Sequence, residues 1–406
     1  MSVVLPFRGL RPTPEAAARV ASVPYDVVNT EEARALVKDE PLSFLRVTRA
    51  EVDLPPETNP YDARVYEQSV RNFEDLKRAA PLVQEAEPSL YVYRLRMGTH
   101  EQTGVAGCFS LDEYDAGLIK KHEKTRKDKE DDRTRHMIDL RAQTGIVFLT
   151  YRASAAIDAV VARVTKTPPL FKVNAPDGVA HTVWRATGAD RDALVAGFAA
   201  LPALYVADGH HRVASASRAR AELARTGGRH DEASTFIATA FPDTEVRIEA
   251  YNRTVKDLAG RSPDDLLSAL SSAGVAVSSG TPLPDRAGRV SMYLAGKWHT
   301  LTLPRPGAGT PRADALDVEV LQRRVLEPLL KIGDPRSDKR IDFVGGARGP
   351  QELERLVQSG KAAAAFSLFP VGVDDLLAIA DAGGIMPPKS TWFEPKLRDG
   401  LLIHLI

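Results

Sequence analysis

Residues 204–224 read LYVADGHHRVASASRARAELA, and the interpretation of the whole chain depends on this stretch. Residues 204–207 are apolar and predict a short buried strand, while 208–211 predict a turn. The continuous series of alanine and valine that follows predicts a helix over 212–224. Because a helix N-terminus offers unpaired backbone N–H groups, a strand–turn–helix of this kind can bind an anion.

The side chains of this turn suit phosphate binding. Gly209 can adopt a positive φ and lets a phosphate approach the backbone, and His210, His211 and Arg212 add hydrogen-bond donors. Asp208 fits a different role, as a metal ligand, as a partner that orients a histidine, or as a proton acceptor, and His210 is a second candidate catalytic residue. The structural alternative is that Asp208 caps the helix and the histidines are merely exposed.

A second unusual segment, residues 120–136, alternates in charge sign. Its ordinary interpretation is a solvated helix with many ion pairs. Four of its side chains instead suit a lid over a metal–phosphate group. They are His122, Glu123, Thr125 and Arg133. In the second interpretation Glu123 joins Asp208 as a candidate magnesium ligand, and the pattern leaves both interpretations open.

The composition is that of a globular protein of several domains. The chain has 406 residues, of which 43% are hydrophobic and 27% charged, so two or three domains are expected. Basic and acidic residues balance at 54 each, which argues against a nucleic-acid-binding surface. The single cysteine, Cys108, excludes a disulfide within the chain. No signal peptide or membrane-length apolar run is visible, so we expect a cytoplasmic protein without a membrane partner.

Strands and helices alternate along the chain, which predicts an α+β (mixed α/β) fold. We expect a first domain over residues 1–255, with segments inserted into its core. A change in character near 256–263 predicts a second α/β domain over 256–406, with a helix at 316–330. The last strand, 401–405, and the Pro-rich segment before it are expected to pack back on the body of the protein.

Six ordered motifs resemble those of the family called domain of unknown function 1015. They are 6–12 (PFRGLRP), 24–27 (PYDV), 122–125 (HEKT) with 132–133 (DR), 207–212 (ADGHHR), 251–253 (YNR) and 386–393 (MPPKSTWF). The resemblance extends over nearly the whole chain, and the family name implies no activity.

Residues 207–212 also resemble the phosphate-binding turn of the ParB/sulfiredoxin-like fold, which includes free serine kinases. This resemblance implies a ParB/sulfiredoxin-like nucleotide-binding core that uses ATP or ADP with Mg²⁺ to phosphorylate free L-serine. The DNA-binding helices of ParB and the cysteine of sulfiredoxin have no counterpart here, which favours a small-molecule kinase. The resemblance does not place the catalytic base, for which Asp26, Glu31 and Glu15 are candidates.

Three functions follow from these patterns. The first is a phosphotransferase on a small hydroxyl metabolite, most simply a free L-serine kinase. The second is a nucleotide sensor or regulator that uses the same turn without catalysis. The third is a metal-dependent phosphohydrolase, which would act without a nucleotide. A homodimer is compatible with all three.

Overall fold

The structure is a computed structural model that describes residues 3–79, 82–225 and 231–406. The chain divides into two compact units. The first contains the N-terminal residues up to Lys121, then Thr125–Val246 and Pro395–Ile406. The second contains His122–Lys124 and Arg247–Glu394. The C-terminal segment of the chain therefore belongs to the unit formed by its N-terminal half.

The first unit combines helices with strands of both directions. Its helices are α1 (Pro14–Val20), α2 (Thr30–Val37), α3 (Leu45–Thr48), α4 (Ala63–Ala79), α5 (Leu111–Asp115), α6 (Lys127–Leu140), α7 (Ala155–Val164), α8 (Gly188–Ala199) and α9 (His210–Arg225). Its strands are β1 (Val4–Leu5), β2 (Leu10–Pro12), β3 (Leu82–Gln84), β4 (Leu90–Met97), β5 (His100–Ser110), β6 (Ile119–Lys120), β7 (Ala142–Gln143), β8 (Val147–Tyr151), β9 (Phe171–Asn174), β10 (Val179–Ala186), β11 (Leu204–Asp208) and β12 (Thr235–Pro242).

One nine-stranded sheet forms the centre of this unit, in the order β6-β11-β8-β12-β5-β4-β10-β9, with β1 paired to β5. The pairs β6–β11 and β8–β12 are parallel, and the other neighbours are antiparallel. The mixed sheet confirms the predicted α+β class. Fully buried apolar side chains of β11, β8 and β12, such as Leu204, Leu149 and Ala238, pack with α9 through Val213.

Local sequence explains the elements that flank the site. Asn29 caps α2, because its side chain accepts a hydrogen bond from the Glu32 N–H and the Glu32 carboxylate accepts one from the Asn29 N–H, both at 2.9 Å.

The predicted strand at 401–405 is shorter in the structure. Only His404–Leu405 pairs with β7, and this strand is β21, numbered after the strands of the second unit.

The second unit contains a six-stranded antiparallel sheet and four α-helices among its described residues. Its strands are β13 (Arg247–Glu249), β14 (Tyr251–Val255), β15 (Ala276–Ser279), β16 (Arg289–Leu294), β17 (Lys297–Thr302), β18 (Ile341–Gly345), β19 (Ala364–Leu368) and β20 (Trp392–Glu394). Its helices are α10 (Pro263–Ser272), α11 (Asp317–Leu321), α12 (Gly349–Gln358) and α13 (Val373–Asp381). The six-stranded sheet runs β15-β17-β16-β19-β14-β18, and β13 pairs with β20.

The helix predicted over 316–330 is wrong in length. The regular α-helix ends at Leu321, and a π-helical turn, Gln322–Leu326, follows it. Pro328 lies directly beyond, and it has no backbone N–H to continue the helical hydrogen bonds. Among the helices that the structure describes, none is long and apolar enough to cross a membrane.

Candidate functional site

The predicted strand–turn–helix is present in the first unit, with a tighter turn than expected. Helix α9 begins at His210 instead of the predicted Arg212, so Gly209 alone separates it from β11. The φ of Gly209 is +94°. A Cβ atom at this position would lie 3.3 Å from Arg212 Nη1 and 3.4 Å from Val147 Cα. Both the backbone conformation and the close packing therefore require glycine here.

Arg212 lies inside the site and is only 4% exposed. Its Nη2 donates to Asp26 Oδ2 at 3.1 Å, and its Nη1 donates to the Ile146 carbonyl. Among the described residues its Nε has no hydrogen-bond partner. The guanidinium was predicted to grip a phosphate, but in the structure its two terminal nitrogens already bind protein groups. Its carboxylate partner comes from the predicted N-terminal motif.

Asp208 forms an ion pair that the sequence analysis missed. Its Oδ2 accepts a hydrogen bond from Lys396 Nζ at 2.9 Å, and its Oδ1 accepts one from the Gly209 N–H at 2.8 Å. Burial alone would raise the pKa of Asp208, but Lys396 and then Arg212 outweigh burial and hold this pKa well below its usual value. Asp208 is therefore an ionised carboxylate at neutral pH.

Asp399 is a second residue of this site that the sequence analysis missed. It is 2% exposed and exchanges backbone hydrogen bonds with Ser22, at 3.0 and 3.1 Å. Burial raises the pKa of Asp399 to about 7, and Asp26 adds to this rise while Arg212 opposes it. Glu394, Lys396, Arg398 and Asp399 are all charged. The local pattern therefore does not distinguish Lys396 and Asp399, and nothing local indicates that this stretch returns to the turn.

The two histidines of the turn have different surroundings. His210 is 5% exposed, and its charge contributes to lowering the pKa of Asp208. The Nε2 atom of His211 accepts a hydrogen bond of 3.0 Å from the Arg126 backbone N–H. A ring nitrogen that accepts carries no proton, so His211 holds its proton on Nδ1 when neutral. His211 thus links the turn to the start of α6 through an acceptor, whereas a donor to phosphate was expected.

The segment 120–136, for which both a helix and a lid were open, is helical from Lys127 onward. Residues 127–140 form α6, whose Glu130 carbonyl accepts a hydrogen bond from Ser215 Oγ of α9 at 3.2 Å. The Thr125 hydroxyl donates to the Glu130 carboxylate. Arg133 pairs with Asp132 at 2.8 Å and lies over the Tyr25 ring, 4.2 Å from its centroid. Arg133 therefore contacts the residue next to Asp26 instead of the turn itself.

The remaining candidates are Glu31 in the first unit and His122 and Glu123 in the second. Glu31 is exposed in the first turn of α2, and within the described residues it makes no hydrogen bond or ion pair to the turn. His122 and Glu123 belong to the second unit, where the His122 carbonyl accepts a hydrogen bond from the Met386 N–H at 2.7 Å.

The two predicted magnesium ligands, Asp208 and Glu123, belong to different units. Across 3–79, 82–225 and 231–406, no three His, Cys, Asp or Glu side chains are grouped as metal ligands. The carboxylate of Asp208 is also bound by the Lys396 ammonium, a cation where the predicted metal would be. Asp208 therefore already has a cationic partner, and its role as a magnesium ligand stays a prediction.

Comparisons with known proteins give the following similarities. A conserved hypothetical protein from Pyrococcus furiosus is 13% identical with a TM-score of 0.36, covering 74% of this chain and 95% of that one. A free serine kinase in complex with AMP is 12% identical with a TM-score of 0.37, covering 74% and 91%. C-terminally truncated SbnI from Staphylococcus aureus is 12% identical with a TM-score of 0.40, covering 74% and 87%. No curated protein matches the sequence. The family described as "Protein of unknown function (DUF1015)" matches residues 4–321, and the chain belongs to that family.

Proposed function

We propose that this protein is a nucleotide-dependent phosphotransferase that acts on a small hydroxyl metabolite, with ATP or ADP as donor and free L-serine as the first acceptor to test. The observation that carries the proposal is the ion pair between Asp26 and Arg212, at 3.1 Å. It brings a carboxylate to the N-terminus of a long helix that follows a glycine turn. Phosphoryl transfer needs these two elements together, an anion-binding turn and a proton acceptor.

The phosphate side of the site consists of backbone and cationic groups. Helix α9 starts directly after Gly209, whose φ is +94°, and the first N–H groups of such a helix have no partner within the helix. Arg212 and Lys396 supply positive charge near these groups. Magnesium enters this proposal as part of the Mg–nucleotide substrate. These groups would neutralise the phosphates and align them, which is most of what an enzyme contributes to phosphoryl transfer.

The acceptor side consists of Asp26. Its side chain is 39% exposed, whereas that of Arg212 is 5% exposed, so Asp26 can be reached by a small molecule from solvent. A phosphate at the turn would compete for the Arg212 guanidinium and weaken its hold on Asp26. The acceptor hydroxyl oxygen would then attack the terminal phosphorus, the bond to the nucleotide would break, and Asp26 would take the hydroxyl proton.

The choice of serine comes from the resemblance of residues 207–212 to the turn of free serine kinases. The direct experiment incubates the full chain with L-serine and either Mg–ATP or Mg–ADP, and detects O-phosphoserine by mass spectrometry. Product formation that depends on Asp26 supports the proposal. Nucleotide binding without transfer to any hydroxyl amino acid would favour the sensor, and phosphate release from esters without a nucleotide would favour the hydrolase.

A further inference from the structure

The motif Tyr251-Asn252-Arg253 lies on β14 of the second unit and plays no part in the proposed phosphotransfer. Arg253 is 3% exposed. Its guanidinium donates to the Tyr251 carbonyl and, at 3.2 Å, to the Pro388 carbonyl. It also lies 5.4 Å from the centroid of the Phe343 ring. The sequence segments 251–253 and 386–393 therefore meet at this one buried cation.

No carboxylate compensates this charge in the part of the chain that the structure describes, since Arg253 forms no ion pair there. A buried guanidinium is nearly always paired, because removing it from water is costly. Backbone carbonyls and an aromatic face offset only part of that cost. Burial accordingly lowers the pKa of Arg253 to about 9, which still leaves it charged at neutral pH. A bound anion would therefore offset the remaining free-energy cost of burying the Arg253 charge.

Arg253 lines a pocket of about 210 Å³ whose other walls are mixed in character. Tyr251, Leu316 and Phe369 contribute aromatic and apolar surface, and Ser390 contributes a hydroxyl. Two carboxylates also line it, but each is already engaged. Asp375 pairs with Arg312 at 3.0 Å. Both oxygens of Asp317 accept from the Gly288 N–H, at 2.8 and 2.9 Å, and burial raises the pKa of Asp317.

We propose that this pocket is a second ligand site, which binds a small organic anion through an oxyanion paired with Arg253. A carboxylate or a phosphate monoester has this chemistry, because either can accept two hydrogen bonds from a guanidinium. The non-polar part of the ligand contacts Leu316 and Phe369. Typical sites for drug-sized ligands occupy roughly 300–1,000 Å³, so this pocket suits a small metabolite instead of an intact nucleotide. All the residues that line this pocket belong to the second unit, whereas Asp26 and Arg212 belong to the first.

Calorimetric titration of the full chain with succinate, acetate and inorganic phosphate tests this proposal. We expect at least one of these anions to bind wild type. Succinate and acetate test whether the site takes a carboxylate, and inorganic phosphate tests whether it takes a phosphate. Arg253→Met removes the cation, and Ala315→Phe obstructs the pocket from an exposed lining position while leaving the Arg253 hydrogen bonds in place. Each substitution is expected to weaken binding at least tenfold.

Ala382→Phe is the matched control, because Ala382 is exposed in the same unit and does not line the pocket. It is expected to bind the anion as wild type does. Should Arg253→Met fail to fold, Ala315→Phe still decides the question. The proposal is overturned if none of the three anions binds wild type, or if the folded pocket variants bind as tightly as the control. Nucleotide affinity, measured in the same samples, is expected to stay unchanged, which separates this site from the proposed phosphotransfer.

Discussion

Asp26 and Arg212 are 186 positions apart in sequence, and their side chains meet at 3.1 Å between Oδ2 and Nη2. The guanidinium is buried and the carboxylate is half exposed. Because a buried charge needs an opposite charge, this pair holds the segment that contains Asp26 against the start of α9. The same contact joins a group that can bind phosphate to a group that can accept a proton.

Asp26→Asn should separate binding from turnover. The asparagine side-chain oxygen still accepts a hydrogen bond from Arg212, so nucleotide affinity should change little. It cannot take the proton of the acceptor hydroxyl, and turnover should fall by about 10²–10⁴-fold. Calorimetry with the nucleotide and phosphoserine detection by mass spectrometry measure the two quantities on the same preparation.

Glu31→Gln and Asp39→Asn complete that experiment. Glu31 was another acidic candidate of the N-terminal region, beside Glu15, and the structure places it exposed on α2. Asp39 is an exposed carboxylate of the same unit and serves as the control. Wild-type turnover in Asp26→Asn together with lost turnover in Glu31→Gln would transfer the role of base to Glu31.

Arg212→Ala should weaken nucleotide binding by roughly 1.5–3 kcal/mol, the usual contribution of a hydrogen bond to a charged group. It should also lower the free energy of unfolding of the first unit by about 3–5 kcal/mol. The reason is that the substitution removes the guanidinium whose charge interacts with Asp26, Asp208 and Asp399. Arg212→Lys keeps the charge without the planar fork, so its nucleotide affinity and its stability should fall between those of wild type and Arg212→Ala. Urea unfolding measures stability, and titration of the folded variants measures affinity; unchanged affinity in folded Arg212→Ala would remove Arg212 from the phosphate site.

Lys396 and Asp208 should be energetically coupled. Their side chains are 13% and 30% exposed, so solvent screens this pair less than a surface pair. A double-mutant cycle of Lys396→Met and Asp208→Asn should give a coupling free energy of about 1–3 kcal/mol. The exposed pair Lys127–Asp131, with Lys127 84% exposed, should give a clearly smaller coupling free energy in the same experiment. Equal coupling in the two pairs would show that Lys396 has no special role at Asp208.

The sequence predicted the local part of the site well, because local rules govern it. An apolar strand, a glycine that must adopt a positive φ and a helix rich in alanine all depend on neighbours in sequence. The prediction therefore placed Gly209 and α9 nearly as the structure has them. The predicted start of α9 was two residues too late, since helix boundaries depend on cap geometry that composition does not specify.

The long-range part of the site could not be predicted. Lys396 and Asp399 reach Asp208 and Arg212 only because the C-terminal segment belongs to the first unit. At 120–136 the charge pattern predicted a solvated helix, whereas a few side chains suggested a lid. Local pattern could not decide between them, and residues 127–140 form α6, which is held against α9. Propensity and periodicity are properties of short windows, whereas these contacts depend on the topology of the whole unit.

Asp399→Asn should make the first unit less sensitive to rising pH. The pKa of Asp399 is about 7 in the folded protein, against an ordinary value of 3.8. Between about pH 4 and pH 7 the folded state therefore keeps a proton that the unfolded chain has released, so wild-type stability falls as the pH rises through this range. The penalty is fully present above pH 7, where the buried carboxylate is ionised close to Asp26, with Arg212 and Arg133 offsetting only part of its burial.

Asparagine has no such penalty, so the stability of Asp399→Asn relative to wild type should rise by on the order of 2 kcal/mol from pH 5 to pH 8. Urea unfolding of wild type, Asp399→Asn and the exposed control Asp39→Asn at both pH values measures this difference. If the wild-type and Asp399→Asn stabilities change in parallel between pH 5 and pH 8, Asp399 is already ionised at pH 5 and does not hold the proton inferred here.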